Sequence, residues 1–306
     1  MDIIKRRYLY FAISLLVIIP GVIALAVWGL PLAIDFTGGS VLEVQFETGK
    51  APQPAAVIAL YDKLGVRDPE VQSSQNDVLV IRSKEVDETT KNTLVSDMQT
   101  QFGSKVTVNS FDTVGPEVGS ETTKNAALAV VAASVGILLY ITYAFRNIPN
   151  AFRYGVAAII ATIHDILVVL GTFAILGHFL GWEVDSLFLT ALLTVIAFSV
   201  HDDVVVFDRI RENANTYRRV KYDQVVNFSI VQTMDRSINT QFTVMLTLLS
   251  LALFGGVTIH HFVVTLLIGV FSGTYSSIFN AAPILVVWSN QDWKTWFRRS
   301  EPKPAG

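Results

Sequence analysis

Residues 186–207 read SLFLTALLTVIAFSVHDDVVVF, an apolar run of 22 residues interrupted near one end by His201, Asp202 and Asp203. A transmembrane helix needs about 20 predominantly apolar residues, so this run is long enough to cross a bilayer. Each carboxylate held at mid-membrane costs about 2.5–3.5 kcal/mol on insertion scales. A chain carries that cost where protein or water supplies partners for the charge. The stretch therefore predicts a bundle of membrane helices with a polar interior, a place where protons or ions can be handled.

Working outward, five further runs have comparable length and character: Tyr8 to Leu30, Asn125 to Phe145, Tyr154 to Leu180, Ser237 to Phe254 and Phe262 to Trp288. The last is long enough to tilt, or to break at Pro283. The composition fits six spans. The chain is 51% hydrophobic and 16% charged, against about 25% charged for a soluble domain. The first run follows Lys5-Arg6-Arg7 and offers Ala24-Leu25-Ala26 as a signal-peptide cleavage site. It continues through Trp28, too far for an ordinary cleaved signal, and reads as a retained span. Basic residues precede the first run, lie between the second and third, cluster between 208 and 236, and recur as Lys294, Arg298, Arg299 and Lys303. The short opposite joins, 181–185 and 255–261, have no Lys or Arg. The positive-inside rule then puts both termini in the cytoplasm. The expected organisation is a first span (1–30), an exported polar domain (31–122), a five-span bundle (123–290) and a cytoplasmic tail (291–306).

The polar segment alternates where the spans do not. Ser40 to Phe46 reads as a strand that puts Leu42, Val44 and Phe46 on one face and Val41, Glu43 and Gln45 on the other. Pro54 to Leu64 reads as a helix, Val66 to Ser73 and Val78 to Arg82 as strands around a turn at 74–77, Val86 to Phe102 as a helix, and Lys105 to Phe111 as a strand. The order β-α-β-β-α-β predicts a ferredoxin-like α+β sandwich. This segment has no histidine and presents no catalytic cluster, so a binding or spacer module is expected.

The chain has no cysteine, which excludes disulfides and thiolate metal sites. It also has no G-x-x-x-x-G-K-[ST] loop for a nucleotide phosphate. The ionisable side chains inside spans are few: His164 and Asp165 in the third, and His201, Asp202 and Asp203 in the fourth. Asp202 and Asp203 lie about 100° apart on a helix, so they face different neighbours; Asp203 shares a face with Ser199. Arg236, just ahead of the fifth span, is placed to pair with Asp202 or Asp203. Three readings remain open for this set: internal pairing that pins the bundle, a proton relay, and a metal site. Adjacent His-Asp pairs on a helix suit a metal poorly, and there is no H-E-x-x-H, so no metal is expected. Gly269, Gly273 and Ser277 recur at spacing four in the sixth span, a small-residue stripe that permits close helix contact.

Several short segments carry a family resemblance. Residues 34–40 (IDFTGGS) resemble the segment after the first span of the SecF family, and residues 114–119 (VGPEVG) resemble its approach to the second span. Residues 204–213 (VVVFDRIREN) are similar to its fourth-span signature. Gln232-Thr233 with Arg236-Ser237, Phe254-Gly255-Gly256 and residues 273–278 (GTYSSI) resemble later family segments. The family belongs to the SecD/SecF group of the RND superfamily. The resemblance implies a non-enzymatic subunit in the bacterial inner membrane that works with SecD and the SecYEG channel on a translocating preprotein. Protons would be the coupling ion, with no other cofactor and no nucleic acid. By position, Asp202 matches the family's fourth-span aspartate and Arg236 its fifth-span arginine, with His201, Asp203, Asp165 and His164 as further relay candidates. The family usually has Asn-Asp followed by Ser or Thr where this chain has His201-Asp202-Asp203. A structural assembly factor and half of a small-molecule transporter are the alternative functions.

Overall fold

The computed structural model describes residues 2–47, 51–73, 77–146, 148, 150–292 and 294. The chain divides into two compact units, residues 32–128 and residues 1–31 with 129–306. The first unit is a four-stranded antiparallel sheet with two long helices. The strands are β1 (Gly39–Phe46), β2 (Glu70–Ser73), β3 (Val78–Ser83) and β4 (Val106–Val114), in spatial order β2-β3-β1-β4. Numbering helices along the whole chain, α1 (Arg7–Trp28) belongs to the other unit, and α2 (Ile34–Thr37), α3 (Pro54–Lys63) and α4 (Glu88–Phe102) belong to this one.

The sheet follows from alternation. Leu42, Val44 and Phe46 face inward with Leu79 and Ile81, and meet Val57, Leu60 and Tyr61 of α3 and Leu94 and Met98 of α4 in one apolar core. Three boundaries differ from the pattern-based reading by two residues or more. β2 starts at Glu70 rather than Val66, because Asp68 takes a positive φ and Pro69 follows it, and a proline has no N–H for the ladder. α4 starts at Glu88 rather than Val86, because the Asp87 side chain caps the backbone N–H of Thr90 while Val86 N–H donates to Ser40 Oγ at 2.8 Å. β4 runs on past Phe111 to Val114, with a bulge opposite Glu43/Val44. The expected turn at 74–77 lies mostly outside the described residues.

The short helix α2, absent from the sequence reading, explains why residues 34–40 carry two glycines. Gly38 ends α2 at φ 69° and Gly39 opens β1 at φ 121°, conformations that L side chains rarely adopt. A Cβ on Gly39 would sit 2.6 Å from the Ser83 carbonyl oxygen, and one on Gly119 would sit 2.6 Å from the Gly38 nitrogen. The segments 34–40 and 114–119 are thus two sides of one close backbone contact.

The second unit is helical. With α1 it contains the later part of α5 (Pro116–Ala144), then α6 (Phe152–Leu180), α7 (Ser186–Thr216), α8 (Tyr222–Phe254), α9 (Val257–Ser276) and α10 (Ala282–Asn290). Among the described residues six helices are long and apolar enough to cross a membrane, α9 and α10 counting as one. Helix α8 begins 15 residues before the apolar run that marked it. Its first turns are amphipathic, burying Val225, Val226, Ser229, Ile230 and Thr233 at helical spacing, so much of the expected basic loop 208–236 is helix. Between α9 and α10 the bonding widens to a π turn over Ser277–Ala281. Pro283 accounts for it: proline brings no N–H to the carbonyl four residues earlier and its ring crowds that carbonyl.

Candidate functional site

Four helices of the membrane unit bring polar side chains to one buried place. Helix α6 supplies His164 and Asp165, α7 supplies Ser199, Asp202 and Asp203, α8 supplies Ser237 and Gln241, and α9 with its π turn supplies Ser272, Ser276 and Ser277. All are under 9% exposed. They can meet because α9 has little bulk where it passes α7. A Cβ on Gly269 would fall 2.1 Å from Val195 Cγ2, and one on Gly273 would fall 3.3 Å from Ser199 Cβ and 3.7 Å from Asp165 Oδ2. A second close approach joins α1 to α6, where a Cβ on Gly171 would be 2.6 Å from Gly21 Cα.

Asp165 is the hub. It is fully buried and receives the hydroxyls of Ser199 at 2.6 Å, Ser272 at 2.6 Å and Ser276 at 2.8 Å. Its fourth partner is His164 Nδ1 at 3.0 Å. Four donors on two oxygens make a satisfied buried carboxylate, the arrangement that offsets desolvation.

Asp202 is 3% exposed and accepts one hydrogen bond, from Gln241 Nε2 at 2.5 Å. Gln241 also lines a groove of about 350 Å³ between α8 and α9, with Ile238, Phe242, Phe271, Tyr275 and Ile278. One amide therefore separates Asp202 from the lateral surface of the bundle. Asp203 is fully buried, and neither of its oxygens has a hydrogen-bond partner among the described residues. The Ser277 hydroxyl lies beside it but donates to the Ser199 carbonyl at 3.3 Å. Ser199, which shares a face with Asp203, points instead to Asp165.

Two candidates lie elsewhere. His201 is exposed on the outer face of α7. Arg236 is exposed too, and lines an opening of about 330 Å³ with Val204, Val205, Asp208 and Arg211. The pairing of Arg236 with Asp202 or Asp203 is corrected: Gln241 takes the place meant for it. Five residues along α8 shift position by about 7.5 Å and about 140°, so Arg236 and Gln241 point to different places. Gln241, Ser272 and Ser276 were missed from sequence. Ser272 and Ser276 are themselves spaced by four, one position from the glycine stripe, and that was the available signal.

The fold and its polar core define a multi-pass membrane protein with a small α+β domain inserted after the first helix. Residues 94–291 match the C-terminal family of protein-export membrane proteins SecD/SecF, and residues 23–50 match the SecD/SecF GG motif. The protein translocase subunit SecF of Anaerolinea thermophila is 54% identical over 306 residues, covering 100% of this chain and 99% of that one. SecF of Thermobaculum terrenum is 47% identical, again covering 100% and 99%. The crystal structure of SecDF from Thermus thermophilus, described as a translocon-associated membrane protein, superposes with a TM-score of 0.80 at 29% identity. That match covers 95% of this chain and 39% of the SecDF chain. A SecDF structure in the super-membrane-facing form gives a TM-score of 0.68 at 29% identity. The chain belongs to the SecF family of protein translocase subunits and has its role in Sec-pathway export.

Proposed function

We propose that this chain is the SecF half of a SecD–SecF assembly that uses the proton gradient to promote polypeptide movement through SecYEG. The match to a solved SecDF chain supports SecD as a partner. On this reading the protein lies in the bacterial inner membrane with both termini in the cytoplasm. The α+β unit lies outside and holds or releases the emerging preprotein. Its β-α-β-β-α-β order and strand order β2-β3-β1-β4 support a ferredoxin-like domain. The chain acts as a coupling subunit rather than an enzyme.

The observation that carries this reading is Asp202: a buried carboxylate with a single amide partner, one side chain from the bundle surface. Protonated, it is neutral and cheap to bury; ionised, it keeps one hydrogen bond and calls for a second partner. That difference makes the site bistable. One charge crossing 100 mV is worth about 2.3 kcal/mol, enough to bias a two-state arrangement some tens-fold. Arg236 serves this scheme from the outer surface of α7 and α8, where it would act on protons or on SecD rather than within the resting core. In inverted vesicles, Asp202→Asn is expected to remove the gradient-dependent part of preprotein export while SecD still co-purifies. Native export by that variant under a full gradient would defeat the proposal.

A further inference from the structure

Asp165 and Asp203 pose a problem that the role of Asp202 does not solve. They face each other across α6 and α7 within mutual electrostatic reach, and both are fully buried. Asp165 has four donors; Asp203 has none among the described residues. Two ionised carboxylates here would put two like charges in a fully buried site, and removing one unpaired ion from water costs several kcal/mol even after relaxation. A neutral carboxylic acid costs far less to bury. Like-charged neighbours divide their protons unequally, one remaining ionised while the other keeps its hydrogen.

The donor distribution says which is which. Three serine hydroxyls and His164 Nδ1 aim at Asp165, an arrangement suited to the ionised form. Beside Asp203 there is only the Ser277 hydroxyl, which it shares with the Ser199 carbonyl. We infer that Asp165 and Asp203 form a one-proton carboxyl pair, with the proton on Asp203, and that this is a second proton-binding site distinct from Asp202. The groups around Asp203 are few. Asp165 and His164 lie on α6, Asp202 adjoins it on α7, and Ser277 faces it from the π turn. A metal ion suits the place less well. The hydroxyl oxygens lie at hydrogen-bond distance from Asp165. Among the described residues no three His, Cys, Asp or Glu side chains gather as ligands.

This inference rests on the proton-coupled reading for its purpose, but its test does not use export. Infrared difference spectra of the full-length protein in liposomes, at neutral pH, report the C=O stretch of protonated carboxylic acids and its downshift in D₂O. The native protein and Asp202→Asn are expected to share one such band, and Asp203→Asn to lose it. Asp203→Thr, which keeps a small polar side chain, should also lose the band if the Asn variant fails to fold. An unchanged band in both Asp203 variants would overturn the assignment, as would a native protein with no band. Loss of the native band when sodium replaces potassium would overturn it in favour of a metal ion. Failure of Asp202→Asn to impair export would defeat the relay at Asp202 and leave this band untouched.

Discussion

The two units of this chain are built inside out relative to each other. The α+β unit hides Leu42, Val44, Leu79, Ile81, Leu94 and Met98 and turns its polar residues outward. The membrane unit turns Leu16 and Phe254 outward, at 74% and 87% exposure, and hides Asp165, Ser199, Asp203, Ser272, Ser276 and Ser277. The solvent accounts for the difference. In water, apolar burial is the main driving force. Between helices in lipid that force vanishes, and close packing with interhelical hydrogen bonds takes over. In the α+β unit a buried hydroxyl such as Ser40 serves the backbone. In the membrane core polar side chains join helices, and Asp202 keeps a single amide partner.

If that contrast holds, substitutions should act oppositely in the two units. The largest effect is expected from Asp165→Leu, an apolar change in the membrane core. It removes the acceptor of the Ser199 and Ser272 hydroxyls, each costing about 1–3 kcal/mol when left unpaired and buried, while Ser276 keeps the Gly273 carbonyl. The solubilised protein should melt well below the native one, and Asp165→Asn should recover part of the loss by keeping an acceptor. An unchanged melting temperature for Asp165→Leu would erase the distinction between the units. Next comes Leu94→Ala in the α+β core, expected to cost about 2–5 kcal/mol through lost burial and a residual cavity. Hydrogen exchange should quicken in residues 32–128 and stay unchanged in α6 to α9. Exchange that quickens equally in both would mean that they share one stability.

The smallest effect is at the helix cap. The Thr89 hydroxyl and Thr90 N–H donate to Asp87 and hold its carboxyl at about 2, below the ordinary 3.8. A lowered value in the folded state means that the ionised form stabilises the fold. The cap is therefore at full strength above the ordinary carboxylate value and is lost as pH falls toward 2. Asp87→Ala should loosen the first turn of α4 at neutral pH and abolish its acid sensitivity in that window. Amide exchange at Thr90 reads both.

The contrast also explains what could be read from the sequence. In β1 the alternation of Val41 to Phe46 assigned each face, because water lies on one side and a dry core on the other. The spans were visible as long apolar runs. Within them Asp165, Asp202 and Asp203 stood out because a carboxylate is rare in lipid. Serine is not: its hydroxyl can bond back to its own helix at i−4, so Ser272 and Ser276 gave only their spacing of four, which does not say that their partner lies on α6. Gln241 was hidden in the same way. Arg236 was misplaced because similar depth in the membrane says nothing about angular position around α8. The start of α8 at Tyr222 was missed because an apolar run marks where lipid begins, not where the helix does.

The central claim is that protons bind and leave the membrane unit through Asp202. It is tested most directly by proton flux in liposomes carrying this chain with SecD, with a pH-sensitive dye inside and an imposed gradient. The account predicts flux for the native protein and none above the protein-free leak for Asp202→Asn, with the same amount of assembled complex in both. Native flux through Asp202→Asn would contradict it.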